Sequence, residues 1–189
     1  MKKTVGTLLA GVTLMAALPM AAQAAGNEQD TQAKIELSQD EENKDITLDQ
    51  VPGIDLGSHV NQNTTKTYTA DAIDGAIKVT NPGNTDGWKV QVQATDFEDG
   101  SKTLRGAKLT LANGETSADD TQNASEVPTS PTITVNGVNQ NIVTAKTGEG
   151  IGSFTTTHSK DNVSLLVPAG NAAGAYTAKL TWTLSNAPS

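Results

Sequence analysis

Apolar and polar residues alternate at every second position in several segments of this chain, and this pattern restricts the fold more than any other feature. Within residues 88–95, Trp88, Val90, Val92 and Ala94 share one face of an extended strand, and the residues between them are polar. Similar alternation marks residues 77–79, 107–111, 133–135, 163–167 and 176–185. No segment has a convincing 3.6-residue period, so the sequence predicts strands rather than helices.

Turn-forming residues separate these segments. Asn81-Pro82-Gly83-Asn84 is a strong turn signal, and Asn113-Gly114 and Asn136-Gly137 are typical of hairpin turns. We expect hairpins at the latter two pairs and at residues 168–174, and an exposed loop at residues 115–131. Short strands joined by turns predict an all-β fold. The expected architecture is an antiparallel β-sandwich, immunoglobulin-like in general form.

The first residues have the order of features of a secretory signal peptide. Lys2 and Lys3 precede an apolar stretch, and Ala22-Gln23-Ala24 is an A-x-A cleavage site. We therefore predict a leader at residues 1–24, with Ala25 as the first mature residue. An uncleaved membrane anchor is the alternative.

Beyond the leader, we expect a flexible segment at residues 25–33 and one domain at residues 34–189. Short alternating strands are predicted near the start of this domain, at residues 34–37 and 46–48. No LPxTG-type sorting signal precedes the last residue, Ser189. We therefore expect that any attachment to the cell surface is non-covalent.

Charge and cysteine content exclude several classes of function. The formal net charge is −8, and loss of the two leader lysines makes it −10. The remaining cations are scattered, so we expect no nucleic-acid partner and no binding to anionic lipids. The chain has no cysteine, which excludes thiol nucleophiles, Cys-ligated zinc and iron–sulfur clusters. An exported chain without disulfides depends on its own core, which favours a bacterial surface protein.

No residue pattern predicts catalysis. His59 and His158 are expected in loops without metal ligands at suitable spacing, and no G-x-S-x-G elbow is present. Asp96, Glu98 and Asp99 form a carboxylate cluster beside Gly100, which is interpreted as a solvated turn, with weak calcium binding as the alternative. We therefore expect no enzyme activity, no metal and no cofactor.

Four segments in order resemble a known family. They are Val51-Pro52-Gly53-Ile54-Asp55-Leu56-Gly57, Trp88-Lys89-Val90, Phe97 with residues 104–109, and the closing residues 176–188. Together they resemble the WxL domain, a cell-surface domain of low-GC Gram-positive bacteria. The resemblance covers residues 34–188.

The resemblance implies a secreted, extracellular protein that binds peptidoglycan of the cell wall non-covalently. It also implies assembly with a WxL-interacting surface protein. Because no second apolar stretch appears near the C-terminus, we expect no membrane span in the mature chain. A second hypothesis is a purely structural or interaction subunit with little wall affinity of its own. A third is a hydrolase that acts on polysaccharide or peptide.

The signature residues of this resemblance are interpreted as core residues. Positions i and i+2 of a strand share a face, so each tryptophan and the second residue after it point the same way. The alternative is that one tryptophan stacks on a sugar ring or on a partner's aromatic surface. The signature residues are Trp88, Val90, Tyr176, Trp182 and Leu184.

The polar faces of the same two strands are the predicted wall-binding surface. Hydroxyls, amides and an occasional ammonium group suit glycan hydroxyls and peptide-stem carboxylates. The alternative is that these residues form an ordinary solvated sheet face. The candidate wall-binding residues are Lys89, Gln91, Gln93, Thr177, Lys179 and Thr181.

Overall fold

The computed structural model describes residues 30–40 and 42–186. The predicted leader at residues 1–24 and its cleavage site lie outside the described residues, as does the first part of the predicted 25–33 segment. Residues 30–37 have no regular secondary structure. All the described strands belong to a compact unit, Ser38–Ser189.

The strand predicted at residues 34–37 is wrong. Ile35 is 83% exposed and Leu37 is 88% exposed, and no described strand pairs with them. Alternation stabilises a strand only where a neighbouring strand completes its hydrogen bonds and one face is buried. The prediction at residues 46–48 is confirmed with a small shift, because Ile46 is buried directly before the first strand.

The described residues form fifteen short strands and one 3₁₀ turn. The first five strands are β1 (Thr47–Gln50), β2 (Gly53–Asp55), β3 (Lys66–Thr69), β4 (Ala72–Asp74) and β5 (Ile77–Asn81). The next five are β6 (Trp88–Ala94), β7 (Glu98–Asp99), β8 (Lys102–Thr103), β9 (Lys108–Leu111) and β10 (Glu115–Ala118). The last five are β11 (Ile133–Val135), β12 (Gln140–Ala145), β13 (Gly152–Thr157), β14 (Val163–Val167) and β15 (Leu180–Ser185). The 3₁₀ turn is Lys160–Asn162.

Three larger sheets and two short ribbons contain these strands, and every pairing is antiparallel. One four-stranded sheet has the order β1-β5-β13-β10, and another has the order β11-β9-β14-β3. A three-stranded sheet has the order β12-β6-β15, while β2-β4 and β7-β8 are two-stranded. The all-β, antiparallel fold class is confirmed, and the arrangement is consistent with a β-sandwich.

One hydrophobic core joins the three larger sheets. Val79 of β5, Val92 of β6 and Leu109 of β9 each contribute a side chain that is at most 2% exposed. Burial of each such side chain stabilises the fold by about 1.5–3 kcal/mol. Along β6, buried and partly exposed residues alternate without interruption, as the sequence predicts.

The predicted hairpins are wrong, although the strands beside them are present. β9 pairs with β11 and β14, whereas β10 pairs with β13 in another sheet. The Asn113-Gly114 connection therefore crosses between sheets, and so do the connections from β11 to β12 and from β14 to β15. Alternation shows which face of a strand is buried, but it does not identify the strand beside it.

The exposed loop predicted at residues 115–131 is wrong in part. Its first four residues form β10, the edge strand beside β13, and Pro128 is buried. The hydroxyls of Thr116 and Thr156 lie 2.8 Å apart across this pair. Serine and threonine suit an exposed edge strand as well as a loop, so composition alone misassigned the segment.

No helix among the described residues is long and apolar enough to cross a membrane.

Candidate functional site

The signature contains two motifs, Trp88 with Val90 and Trp182 with Leu184, and they lie side by side on β6 and β15. The ladder places Trp182 opposite Val92 and Leu184 opposite Val90. Residues directly opposite in an antiparallel pair share a face, so the two motifs form one apolar surface. Val90 is fully buried, and Trp182 and Leu184 pack against the core while remaining partly exposed.

Trp88 lies inside the protein. Its side chain is 2% exposed, and the indole Nε1 donates a hydrogen bond of 3.0 Å to the Gly150 carbonyl oxygen. The buried Asn81 amide donates to the same oxygen at 3.0 Å. Trp88 therefore presents almost no surface to solvent, and its one polar atom already has a partner inside the protein.

Trp182 occupies a different environment from Trp88 because β15 is an edge strand. A shallow groove runs between β1 and β15, and Leu48, Lys179 and Trp182 are among its lining residues. Part of the Trp182 side chain therefore reaches the protein surface. Both strands contain a tryptophan followed two residues later by an aliphatic residue, and the sheet order places one tryptophan on a central strand and the other on an edge strand.

The opposite face of the three-stranded sheet is polar. On β6, Lys89, Gln91 and Gln93 are partly exposed, and their partners on β15 are Ser185, Thr183 and Thr181. The three strands contain one charged residue, Lys89, although the chain as a whole carries a net charge of −8.

β12 adds residues that the sequence did not identify. Asn141 lies opposite Gln91, and Thr144 lies opposite Lys89. The Gln91 Nε2 atom donates to Asn141 Oδ1 at 2.8 Å. No local signal could reveal them, because the pairing of β12 with β6 spans about fifty intervening residues. The polar sheet face consists of Lys89, Gln91, Gln93, Asn141, Thr144, Thr181, Thr183 and Ser185.

Thr177 and Lys179 are exposed but precede β15. Thr177 forms an isolated antiparallel β-bridge with Glu98 of β7. The Lys179 carbonyl accepts from the Thr95 N–H at 3.0 Å, and the Lys179 N–H donates to the Thr95 hydroxyl at 3.0 Å. The structure therefore assembles Lys89, Gln91, Gln93 and Thr181 on one regular surface. It places Thr177 and Lys179 at the end of the ladder, beyond the regular strand.

The carboxylate cluster lies at the β7–β8 hairpin. Asp99 forms an ion pair of 3.5 Å with Lys102 across the turn. Within the described parts of the chain, no group of three His, Asp or Glu side chains is arranged to hold a metal ion.

The two histidines have different surroundings. His59 is exposed and stacks on Tyr68, with ring centroids 4.0 Å apart. His158 follows β13 as predicted for a loop residue, but it is only 7% exposed. Neither of its ring nitrogens, nor the buried Ser130 hydroxyl, has a hydrogen-bond partner among the described residues. Burial lowers the pKa of the His158 imidazole.

A comparison with family models matches residues 19–188 to the WxL domain, which is described as a surface cell wall-binding domain. The match covers nearly the whole chain and includes both signature strands and all three strands of the polar sheet face. No curated protein and no solved structure gives a significant match to the chain.

Proposed function

Because this chain belongs to the WxL family of surface cell wall-binding domains, we propose that it binds peptidoglycan non-covalently on a Gram-positive cell. Binding to the cell wall is the property of the family. In this proposal the ligand is peptidoglycan, the attachment is non-covalent, and the chain is secreted to the outside of the cell.

The polar sheet face is the structural feature that best supports this proposal. It offers amides and hydroxyls in regular rows on a paired sheet, which fixes their spacing. Such groups are donors and acceptors together, as the hydroxyls and amides of a glycan strand require. Lys89 and Lys179 add two cations for peptide-stem carboxylates, in a chain that has an excess of acidic residues.

Lysine replacement tests the electrostatic part of this proposal. The double variant Lys89→Glu, Lys179→Glu should bind less purified peptidoglycan than the parent, and added salt should reduce the binding of the parent. Lys108→Glu is the matched control, because Lys108 is an exposed lysine on β9 of another sheet. Equal binding by the parent, the control and the double variant would exclude a lysine contribution.

We also propose that the chain assembles with a WxL-interacting surface protein. The edge strand β10 supports this proposal, because no described strand pairs with its outer side and a strand of a partner can add to such an edge. The alternative function is an interaction subunit with little wall affinity of its own. Retention on cells only when the partner is present, with no binding to purified peptidoglycan, would favour that alternative.

We propose binding without catalysis. Incubation of the protein with peptidoglycan should release no soluble sugar or peptide fragments while binding stays intact. Release of such fragments at a rate proportional to protein concentration would instead indicate a hydrolase.

A further inference from the structure

A cleft of about 290 Å³ collects aromatic rings from four separate parts of the chain, away from the polar sheet face. His59, Tyr68, Phe97 and Tyr176 contribute to its lining, and apolar side chains such as Leu165 complete it. Three of these rings are among the six Phe, Tyr and Trp residues of the whole chain. The aromatic cleft, defined by His59, Tyr68, Phe97 and Tyr176, therefore holds half of these rings in a cavity near the lower size limit for small-ligand pockets.

Hydrogen bonds hold the two loops that border the aromatic cleft. The Asn61 amide donates to the Asn171 carbonyl oxygen at 3.0 Å, which ties the loop after β2 to the loop after β14. The Asn171 side chain in turn accepts from the Arg105 backbone N–H at 2.8 Å and donates to the Pro168 carbonyl at 3.0 Å. A site that is fixed in this way loses little conformational entropy when a ligand binds.

Two of the rings are oriented by their own contacts. His59 and Tyr68 are stacked with an angle of 15° between their planes, and His59 Nε2 lies 2.8 Å from the Leu56 carbonyl oxygen. A carbonyl can only accept, so this nitrogen is the donor, and in the matching imidazole tautomer Nδ1 is an acceptor. The Tyr176 hydroxyl donates to the Ala172 carbonyl at 2.9 Å.

Several polar atoms of the lining remain available. Among the described residues, the Tyr68 hydroxyl, His59 Nδ1 and Asn61 Oδ1 have no hydrogen-bond partner. Val60, also in the lining, is an exposed apolar residue with 80% of its surface accessible. The aromatic cleft thus combines flat apolar surfaces with a few free donors and acceptors.

No charged side chain is part of the lining of the aromatic cleft. Carboxylates border the cleft beside Gly57, where Asp55 Oδ1 accepts from the Gly57 N–H at 2.9 Å and the Asp71 side chain lies close by. The Asp99–Lys102 ion pair also borders it, and Lys102 donates to the Ala173 carbonyl at 3.2 Å. Lys102 and Arg105 border a separate depression on the other side of Ala172. A phosphate or carboxylate would find no counter-charge inside the cleft, whereas an uncharged ring with hydroxyl substituents would find an apolar surface for one face and hydrogen-bond partners for its edge.

We infer that the aromatic cleft binds one pyranose ring of an uncharged glycan strand. The axial C–H bonds of the sugar pack on the aromatic rings, and its hydroxyls bond to Tyr68, His59 Nδ1 and Asn61 Oδ1. This inference rests on the proposed wall-binding function, and it adds a second surface and a ligand class to that function. The amino sugars of peptidoglycan and of other neutral N-acetylglucosamine polymers share this chemistry.

Titration of the full mature chain with N-acetylglucosamine hexamer tests the inference. His59→Ala should weaken binding by roughly tenfold, because it removes one ring of the stack. His59→Phe keeps a stacking ring without the nitrogens and should recover part of that loss. Tyr68→Phe should weaken binding by about three- to tenfold through the missing hydroxyl. Thermal unfolding of each variant confirms that the fold is intact, since His59 is exposed.

The outcomes separate this inference from the wall-binding proposal. One outcome would overturn the inference and leave wall binding intact. In that outcome the parent and His59→Ala bind purified peptidoglycan equally well, and the parent does not bind the hexamer. Variants that lose only the binding of a partner protein would also overturn it, because the cleft would then be a protein-docking site. If the parent binds the hexamer but not peptidoglycan, and His59→Ala weakens the hexamer binding as predicted, the inference stands and the wall-binding proposal fails.

Discussion

Val90 and Leu184 are cross-strand partners on β6 and β15, and each is the second residue after a tryptophan. The two signature motifs are therefore adjacent in space although about ninety residues separate them in the chain. Leu184 faces a fully buried valine on the neighbouring strand. This contact explains how the motif residues stabilise the sheet whose other face is polar.

A double-mutant cycle should detect this contact. Val90→Ala and Leu184→Ala should each destabilise the protein, and the pair should show a coupling energy of about 0.5–1 kcal/mol. Denaturant unfolding supplies the free energies. As a control, Leu184→Ala combined with Ile133→Ala, on a strand of another sheet, should give additive losses. Additivity in the Val90–Leu184 pair would show that the facing side chains do not interact.

The two tryptophans should differ in stability and in solvent access. Trp88→Ala should cost about 3–5 kcal/mol, the range for a buried large aromatic residue, and Trp182→Ala should cost less because it is partly exposed. In Trp88→Phe the remaining Trp182 fluorescence should be quenched readily by acrylamide. In Trp182→Phe the remaining Trp88 fluorescence should be protected. The reverse order of quenching would contradict the assigned environments.

Gly150 should be required for the environment of Trp88. Its φ angle is +67°, and a Cβ at this position would lie 2.6 Å from the Ala145 Cβ and 2.8 Å from the Trp88 Nε1. Gly150→Ala should therefore destabilise the protein by about 2–4 kcal/mol. Gly148→Ala is the matched control, because its φ angle is +81° but nothing lies within 4 Å. The control should cost only about 1 kcal/mol. Equal losses in the two variants would exclude the steric explanation.

His158 should make stability depend on pH. Because burial lowers the pKa of its imidazole in the folded protein, the unfolded chain binds a proton more readily. The contribution of His158 to the free energy of unfolding is therefore fully present above the pKa of the unfolded chain. It falls as the pH drops through that pKa towards the lower pKa of the folded protein. The free energy of unfolding should decrease between about pH 7.5 and about pH 5.5. His158→Gln should show a smaller decrease over the same range, and an unchanged slope in this variant would assign the effect to other groups.

The sequence predicts individual strands better than it predicts their partners. The alternation of β6 identified its bounds to within one residue, because burial of one face leaves a local pattern. The pairing of β14 with β9 and β3, instead of with β15, leaves no such pattern. It depends on contacts between distant segments that bury both sheets at once.

The same limit applies to the candidate sites. Lys89, Gln91 and Gln93 could be identified because they alternate with apolar residues on a single strand. The neighbouring Asn141 could not, because its position on the polar sheet face depends on pairing between β12 and β6. In the aromatic cleft, His59 and Tyr68 are near each other in the chain, but Phe97 and Tyr176 come from distant segments that only the folded structure brings together.

Sedimentation of the mature protein with purified peptidoglycan tests the central claim most directly. The peptidoglycan should first be freed of proteins and of covalently attached polymers, so that only the glycan and its peptide stems remain. The proposed function predicts that the protein sediments with this material in a saturable manner and that a strong denaturant releases it intact. Protein that stays in the supernatant at every peptidoglycan concentration would contradict the proposal.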